Sequence, residues 1–450
     1  MIRSHSKLAT ALMGGLAAGL LLTACGGSAE PSSTTAASSA ASTAAEVATS
    51  AAAEPITLRF IWWGNDTRNA LTQQVIDLYK TTHPNITIET ETADFATYWQ
   101  KLSTQVAGGD APDIIQMDEK YLAEYASQGA LLDLESIGLD TSDWAEGTVD
   151  AGRFDGTLYA ATFGVNAPVF LANTSVFEKA GVEIPDDTTW TWESFAEMAK
   201  QIQAAGGGEY YGVENLIGVD GASKIWLRQQ GAQQFTSDGI GFTAADIQPW
   251  FEYWKQLMDE GGTAPATATI ENQTTAVDQA FLGTNRVAIG FQWSNQVNAV
   301  QNASGQDILI LRPPTQTGNA ADGHLWYKSS MYLSAGAKTK YPEAVKEFIE
   351  FLINDPDCGA ILGTERGVPT NLKVREAVAP QLDAANTKVI EFMDSIADEL
   401  GTGGSVPLPG GGQSETIQRR ATDAVLLGDL DPATAAEQFV TELKAEMGLS

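Results

Sequence analysis

Between residues 55 and 120 the apolar positions change period four times, and each change separates two elements. Ile56 to Trp62 is rich in β-branched and aromatic residues and predicts a buried strand. Gly64-Asn65-Asp66 follows as a loop. The next apolar residues, Leu71, Val75 and Leu78, fall on one face of a helix. Asn85 to Glu91 predicts a second strand, and Tyr98, Leu102 and Val106 a second helix that stops at Gly108-Gly109. Pro112 then leads into a third strand, Asp113 to Met117. The order strand, helix, strand, helix, strand belongs to the α/β class and implies a mostly parallel sheet with helices on both faces. Ligands of such sheets sit beyond the carboxyl ends of the strands, where Trp63 to Asp66 and Asp118 fall.

Later segments repeat the style without repeating the sequence. Thr191 is placed to cap a helix with Phe195, Ala199 and Ile202 inward, ended by Gly206-Gly207-Gly208. Pro342 suits the first turn of a helix with Val345, Phe348, Ile349 and Leu352 on one face. Two last helices, Thr416 to Leu427 and Pro432 to Met447, are expected to pack on the outside.

The amino-terminal pattern is of another kind. Arg3 and Lys7 precede an apolar, charge-free run from Leu8 to Leu22, which closes on Leu22-Thr23-Ala24-Cys25-Gly26. The run is short for a spanning helix, which needs roughly 20 apolar residues, and it ends on small residues as a cleavage site does. Residues 1–24 therefore read as a signal peptide. The closing segment resembles the bacterial lipobox, which implies that Cys25 becomes the first mature residue and carries lipid on its sulfur. Residues 25–54 are almost entirely Ala, Ser, Thr and Glu after the first few, with no apolar face to bury, and read as a flexible tether. The remaining body, Pro55 to Ser450, is long enough for two lobes.

Charge and rare residues narrow the chemistry. Lys and Arg total 26 against 57 Asp and Glu, a formal net charge of −31. Nucleic acid, which needs a positive field, is excluded as a natural partner. Cys358 has no partner for a disulfide once Cys25 is acylated. The body holds only His83 and His324, far apart in sequence, with no cysteine pair and no His-Glu-x-x-His helix, so no metal and no other cofactor is expected. Phosphate-loop and dinucleotide glycine patterns are missing; Gly206-Gly207-Gly208 follows a helix, not a strand. A secreted glycoside hydrolase would need an acid paired with a nucleophile or base, and nothing marks such a pair.

Six segments carry a family resemblance: Trp62-Trp63-Gly64; Gly108-Gly109-Asp110-Ala111-Pro112-Asp113; Gly129-Ala130-Leu131-Leu132-Asp133-Leu134; Asn173 to Val182 followed by Thr191-Trp192-Glu193; Gly290-Phe291-Gln292-Trp293-Ser294-Asn295; and Arg366-Gly367-Val368-Pro369-Thr370. In this order they resemble the family-1 extracellular solute-binding proteins, the maltose-binding-like group. The resemblance implies a two-lobed periplasmic-binding-protein type II fold joined by crossing strands near Phe163 to Val165, near Trp326 to Lys328 and after Thr370. One lobe would comprise residues 55–164 and 328–370, the other 165–327 and 371–450. It further implies a monomer that captures carbohydrate in the cleft, delivers it to the permease of an ABC importer, and is held by lipid to the outer face of the cell membrane. A glycoside hydrolase, or a sugar sensor or adhesin reusing the fold, remains the alternative.

Sugar rings present apolar C–H faces to aromatics and hydroxyls to polar groups, and the chain has 11 Trp, 11 Tyr and 16 Phe to offer. Trp250 and Trp254 sit at helical spacing beside Phe251 and Leu257 and are assigned to packing, as is Trp192. Trp63, Trp293 and Trp326 fall at strand ends or in loops and are candidate ligand contacts, and Phe291 joins them through the segment that resembles the family's sugar-contacting turn. Asp118 is either a hydroxyl acceptor or a helix cap, and Asn65 and Asp66 can serve both ends. Arg366 is a hydroxyl donor or a lobe-to-lobe ion pair. Asn166, just past a crossing strand, is a contact from the second lobe.

Overall fold

The computed structural model describes residues 54–64, 66–401 and 406–449. The signal peptide, Cys25, the tether up to residue 53 and Asn65 lie outside the described residues. The ten principal strands are β1 (Ile56–Trp63), β2 (Ile86–Ala93), β3 (Ile114–Met117), β4 (Ala161–Asn166), β5 (Pro168–Asn173), β6 (Tyr211–Val213), β7 (Val287–Trp293), β8 (Ile308–Leu311), β9 (Lys328–Ala335) and β10 (Val368–Pro369). They form two sheets. One runs β10-β4-β9-β3-β1-β2 and the other β8-β5-β7-β6.

The sheets are mixed rather than mostly parallel. β1 pairs in parallel with β2 and β3, as the alternating pattern predicts, but β9 runs antiparallel to β3 and β4, and β10 antiparallel to β4. In the second sheet only β7 and β6 are parallel. The antiparallel members of the first sheet lie at the junction: β4 leaves it, and β9 enters it after a long excursion. Only Ala167 separates β4 in one sheet from β5 in the other. β10 can lie beside β4 because residue 164 is glycine. A Cβ there would stand 2.3 Å from the Arg366 carbonyl oxygen.

Each sheet carries its own apolar core. Leu58, Phe60, Val75, Ile114, Leu333 and Phe348 pack together around the first. Phe170, Phe195, Ile202, Trp250, Trp254 and Phe439 pack around the second, and Trp250 and Trp254 are fully buried. Local signals hold where they are strong. Thr191 caps helix Trp192–Gly206 in a reciprocal capping box with Ser194, and Gly207 ends it in the left-handed region at φ 55°. Pro342 opens helix Pro342–Asn354, which buries Val345, Phe348, Ile349 and Leu352.

Two helices depart from expectation. Helix Asp66–Thr82 buries Thr72, Val75, Ile76 and Tyr79, a face turned one residue from the predicted one. Thr72 is drawn inward because its hydroxyl accepts a bond from the Arg366 guanidinium, and Tyr79 because it packs on Phe348. Helix Ser414–Leu427 is not an outer helix. It packs between helix Pro432–Glu446 and the helices Asp220–Gln229, Ala244–Asp259 and Ala266–Gln273. Its second buried face is polar: the Gln418 amide donates to the Ile217 carbonyl at 3.0 Å and accepts from Ser223 Oγ at 3.1 Å. A Ser, Gln, Thr stripe reads as solvent-facing in a sequence, and here its bonds are satisfied inside the protein.

Candidate functional site

Two adjoining hollows open between the sheets, about 620 and 880 Å³ counting their open mouths, and share Glu119, Lys224, Gln234, Phe235 and Lys328. From the first sheet's side come Asp118 and the first turn of helix Glu119–Ser127. The opposite side supplies the start of helix Asp220–Gln229, the end of β7, and the loop leading to Ser414.

The apolar wall is aromatic. Trp293 stands edge-on to Phe291 at 5.8 Å between ring centres and to Trp326 at 6.1 Å. Gly221 lets the rings lie where they do, since a Cβ there would stand 2.7 Å from Phe291 Cζ and 3.0 Å from Trp293 Cζ2. Polar groups surround this wall. Lys328 Nζ lies 5.5 Å from the centre of the Trp293 ring and 3.9 Å from Glu119 Oε2. Lys224 Nζ is 2.9 Å from Asp220 Oδ2. Burial opposes the charge on Lys224, but Asp220 and Glu119 outweigh it and hold the ammonium pKa above its ordinary value. Burial likewise opposes the Asp220 charge, and Lys224 with Gln234 and Ser414 overcomes it, so that carboxyl stays below its usual range. The Arg228 guanidinium lies 4.9 Å from the Trp326 ring centre, and burial pulls its pKa down to about 10. Lys120 Nζ reaches Glu415 Oε2 at 3.8 Å, joining the two sides across the opening.

Of the residues expected at the site, Asp118, Phe291, Trp293 and Trp326 line these hollows. Asp118 is a helix cap, its Oδ1 accepting the Lys120 N–H at 2.9 Å, and it also borders the larger hollow. Trp63 lines neither hollow. It packs inside its own half against Phe95, Tyr98 and Trp99 at 5.2 to 5.6 Å. Asp66 is the exposed first residue of its helix. Asn166 is buried at the junction, its Oδ1 without a hydrogen-bond partner among the described residues. Arg366 is withdrawn from the opening: it is 3 % exposed, donates to Thr72 Oγ1 at 2.7 Å, lies 5.2 Å from the Phe163 ring centre, and pairs with its neighbour Glu365 within the first half.

Sequence reasoning missed Glu119, Asp220, Lys224, Gln234 and Lys328. An Asp and a Lys four residues apart read as an exposed helical pair, which is why Asp220 and Lys224 gave no signal. The loop Pro407-Leu408-Pro409-Gly410-Gly411-Gly412 did carry one. So dense a run of proline and glycine between elements marks a loop that does more than connect, and Pro407, Gly411 and Gly412 line the larger hollow.

A family model for bacterial extracellular solute-binding proteins matches residues 74–388, well over half of the chain. The chain belongs to this family. A solute-binding protein captures its ligand without converting it, so the chain is not an enzyme, and the glycoside hydrolase alternative is set aside. The family is extracellular, in keeping with a protein that works outside the cytoplasm. An uncharacterised lipoprotein of Streptomyces antibioticus is 25% identical over 311 residues, covering 66% of this chain and 67% of its own length. The lactose-binding protein of Rhizobium radiobacter is 25% identical over 336 residues, covering 72% and 76%. Among solved structures, a family-1 extracellular solute-binding protein from Alicyclobacillus acidocaldarius is 28% identical with a TM-score of 0.72, covering 88% of this solute-binding protein and 99% of its own chain.

Proposed function

We propose that this solute-binding protein captures a sugar or oligosaccharide in the hollows between its two halves and hands it to the permease of an ABC importer, while lipid on Cys25 holds it to the outer face of the cell membrane. The observation that carries the ligand class is the wall of Phe291, Trp293 and Trp326 bordered by Asp118, Glu119, Asp220, Lys224 and Lys328. Aromatic faces suit the C–H side of a sugar ring, and the carboxylate and ammonium groups supply hydroxyl acceptors and donors. The lactose-binding relative supports a carbohydrate, and the lipoprotein relative supports the anchor. A ligand touching both sides would favour the closed arrangement, which the permease then distinguishes from the open one. The two halves that close are taken as residues 55–164 with 328–370 and 165–327 with 371–450, acting as a monomer.

A thermal-shift screen of the soluble body against mono- and oligosaccharides tests the ligand class. A ligand at a hundred times its Kd raises stability by about 2.7 kcal/mol. A panel without a single stabilising sugar overturns the carbohydrate reading. For the anchor, Cys25→Ser is expected to leave the body folded and release it from the membrane fraction; a variant still membrane-bound after a salt wash argues against lipidation.

A further inference from the structure

The stretch from Val406 to Gln413 runs along the opening between the sheets, and its contacts divide between the two halves. Val406 lies in the part of the chain taken with the second half, yet it is buried in an apolar cluster of the first, with Ile61, Tyr98, Met117 and Tyr332. Leu408, two residues on, packs against the second half's core instead. Val406 lines the smaller hollow, and Pro407, itself buried, lines the larger.

Three glycines fix how this stretch is held. Gly410, at φ 88°, lies against the end of helix Pro432–Glu446, where a Cβ would stand 2.3 Å from the Glu446 carbonyl oxygen. A Cβ on Gly411 would stand 3.1 Å from Phe235 Cε1, also in the second half. At Gly412 the neighbour changes: a Cβ would stand 3.2 Å from Lys120 Cβ, in the first turn of helix Glu119–Ser127 of the first half. Two backbone bonds brace the turn, the Gly411 N–H to the Leu408 carbonyl at 2.9 Å and the Gln413 N–H to the Gly410 carbonyl at 3.1 Å. Pro407 and Pro409 restrict the rest. The stretch is therefore stiff and seated on the second half, and it meets the first half at two points, Val406 and Gly412. The ion pair of Lys120 with Glu415 lies beside the second point. Parting the halves takes Val406 out of its cluster or strips the loop from the second half, and either exposes apolar surface. These contacts involve no ligand, so they favour the closed arrangement on their own.

We propose that residues 406–413 are a latch: the loop rides on the second half, docks Val406 and Gly412 on the first, and holds the halves together independently of solute, so that it must release before the hollows fill or empty. Closure driven by ligand contacts alone differs, because the halves would then part freely whenever no solute is bound.

Thiol labelling with a soluble aromatic disulfide reagent, without any sugar, reads the docking. The parent is the full chain carrying Cys25→Ser, whose remaining thiol, Cys358, is fully buried. Val406→Cys is expected to react about a hundredfold more slowly than Pro409→Cys, at the exposed tip of the same loop. Gly412→Leu, which wedges the loop away from Lys120, is expected to speed labelling of Val406→Cys by about tenfold and leave Pro409→Cys unchanged. Equal rates at the two positions, or a Val406→Cys rate that Gly412→Leu does not alter, overturns the latch. Small-angle scattering of Val406→Asp, again without sugar, reads the halves themselves: a larger radius of gyration than the parent's is expected, and an unchanged one overturns the latch. Should Gly412→Leu or Val406→Asp not fold, Pro407→Gly combined with Pro409→Gly loosens the loop without burying a charge, and the same two readouts are expected to move in the same directions.

Discussion

Trp63 and Trp293 both close a strand, yet of the two only Trp293 lines a hollow described above. After β1, the helix Phe95–Ala107 brings Phe95, Tyr98 and Trp99 against the Trp63 ring. At the end of β7, the helix next to the rings presents Gly221, which has no side chain to cover them. The strand end nominates an aromatic residue, and the neighbouring helix decides whether it becomes core or wall. Phe291 is intermediate: it is 7 % exposed, packs edge-on to Phe170 inside the core, and still lines the larger interlobe hollow beside Trp293.

The largest effect should come from Phe291→Ala, which removes a buried ring and is expected to cost about 3–5 kcal/mol of folding stability, read from urea denaturation without ligand. A loss under about 1 kcal/mol would move Phe291 out of the core and make it a wall residue like Trp293. Next is the pH response of Glu214, which holds the Phe291 N–H. Its carboxyl is raised from 4.5 to about 7 by burial, so the folded protein keeps a proton that the unfolded chain releases between those values. The stability this group contributes is full below pH 4.5 and is lost as pH rises to about 7. Urea midpoints across that window are expected to show a decline that Glu214→Gln flattens; an unchanged slope in the variant would assign the decline elsewhere. The smallest effect belongs to Lys120→Ala. Its ion pair with Glu415 is partly exposed, with side chains 51 % and 44 % accessible, and such pairs contribute about 0–1 kcal/mol. Sugar affinity should fall less than about fivefold and the difference should vanish in high salt. A larger, salt-independent loss would make Lys120 a ligand contact.

How much of this was readable in the chain depended on whether the deciding neighbours were local. Capping at Thr191, the strand before Asp118 and the burial of Trp250 and Trp254 depend on residues within a few turns, and their patterns carried through. The place of Trp293 beside the larger hollow was legible from its segment. Arg366 was not, because the groups that bury it, Thr72 and Gln116, are 294 and 250 residues away in sequence. The antiparallel arrival of β9 and β10 is likewise set by the path through the other half, and no local period records it. Helix Ser414–Leu427 misled for a third reason: its inward polar stripe looks the same in sequence as a solvated one.

The claim that the β7 wall, and not the β1 aromatics, holds the ligand is tested most directly by titrating one stabilising sugar into Trp293→Ala and Trp63→Ala, with melting curves of both unliganded variants. Loss of a stacking platform is expected to weaken binding by about tenfold or more in Trp293→Ala with little change in melting, while Trp63→Ala melts earlier and keeps its affinity within about twofold. Full affinity in Trp293→Ala, or a larger loss in Trp63→Ala, would contradict the account.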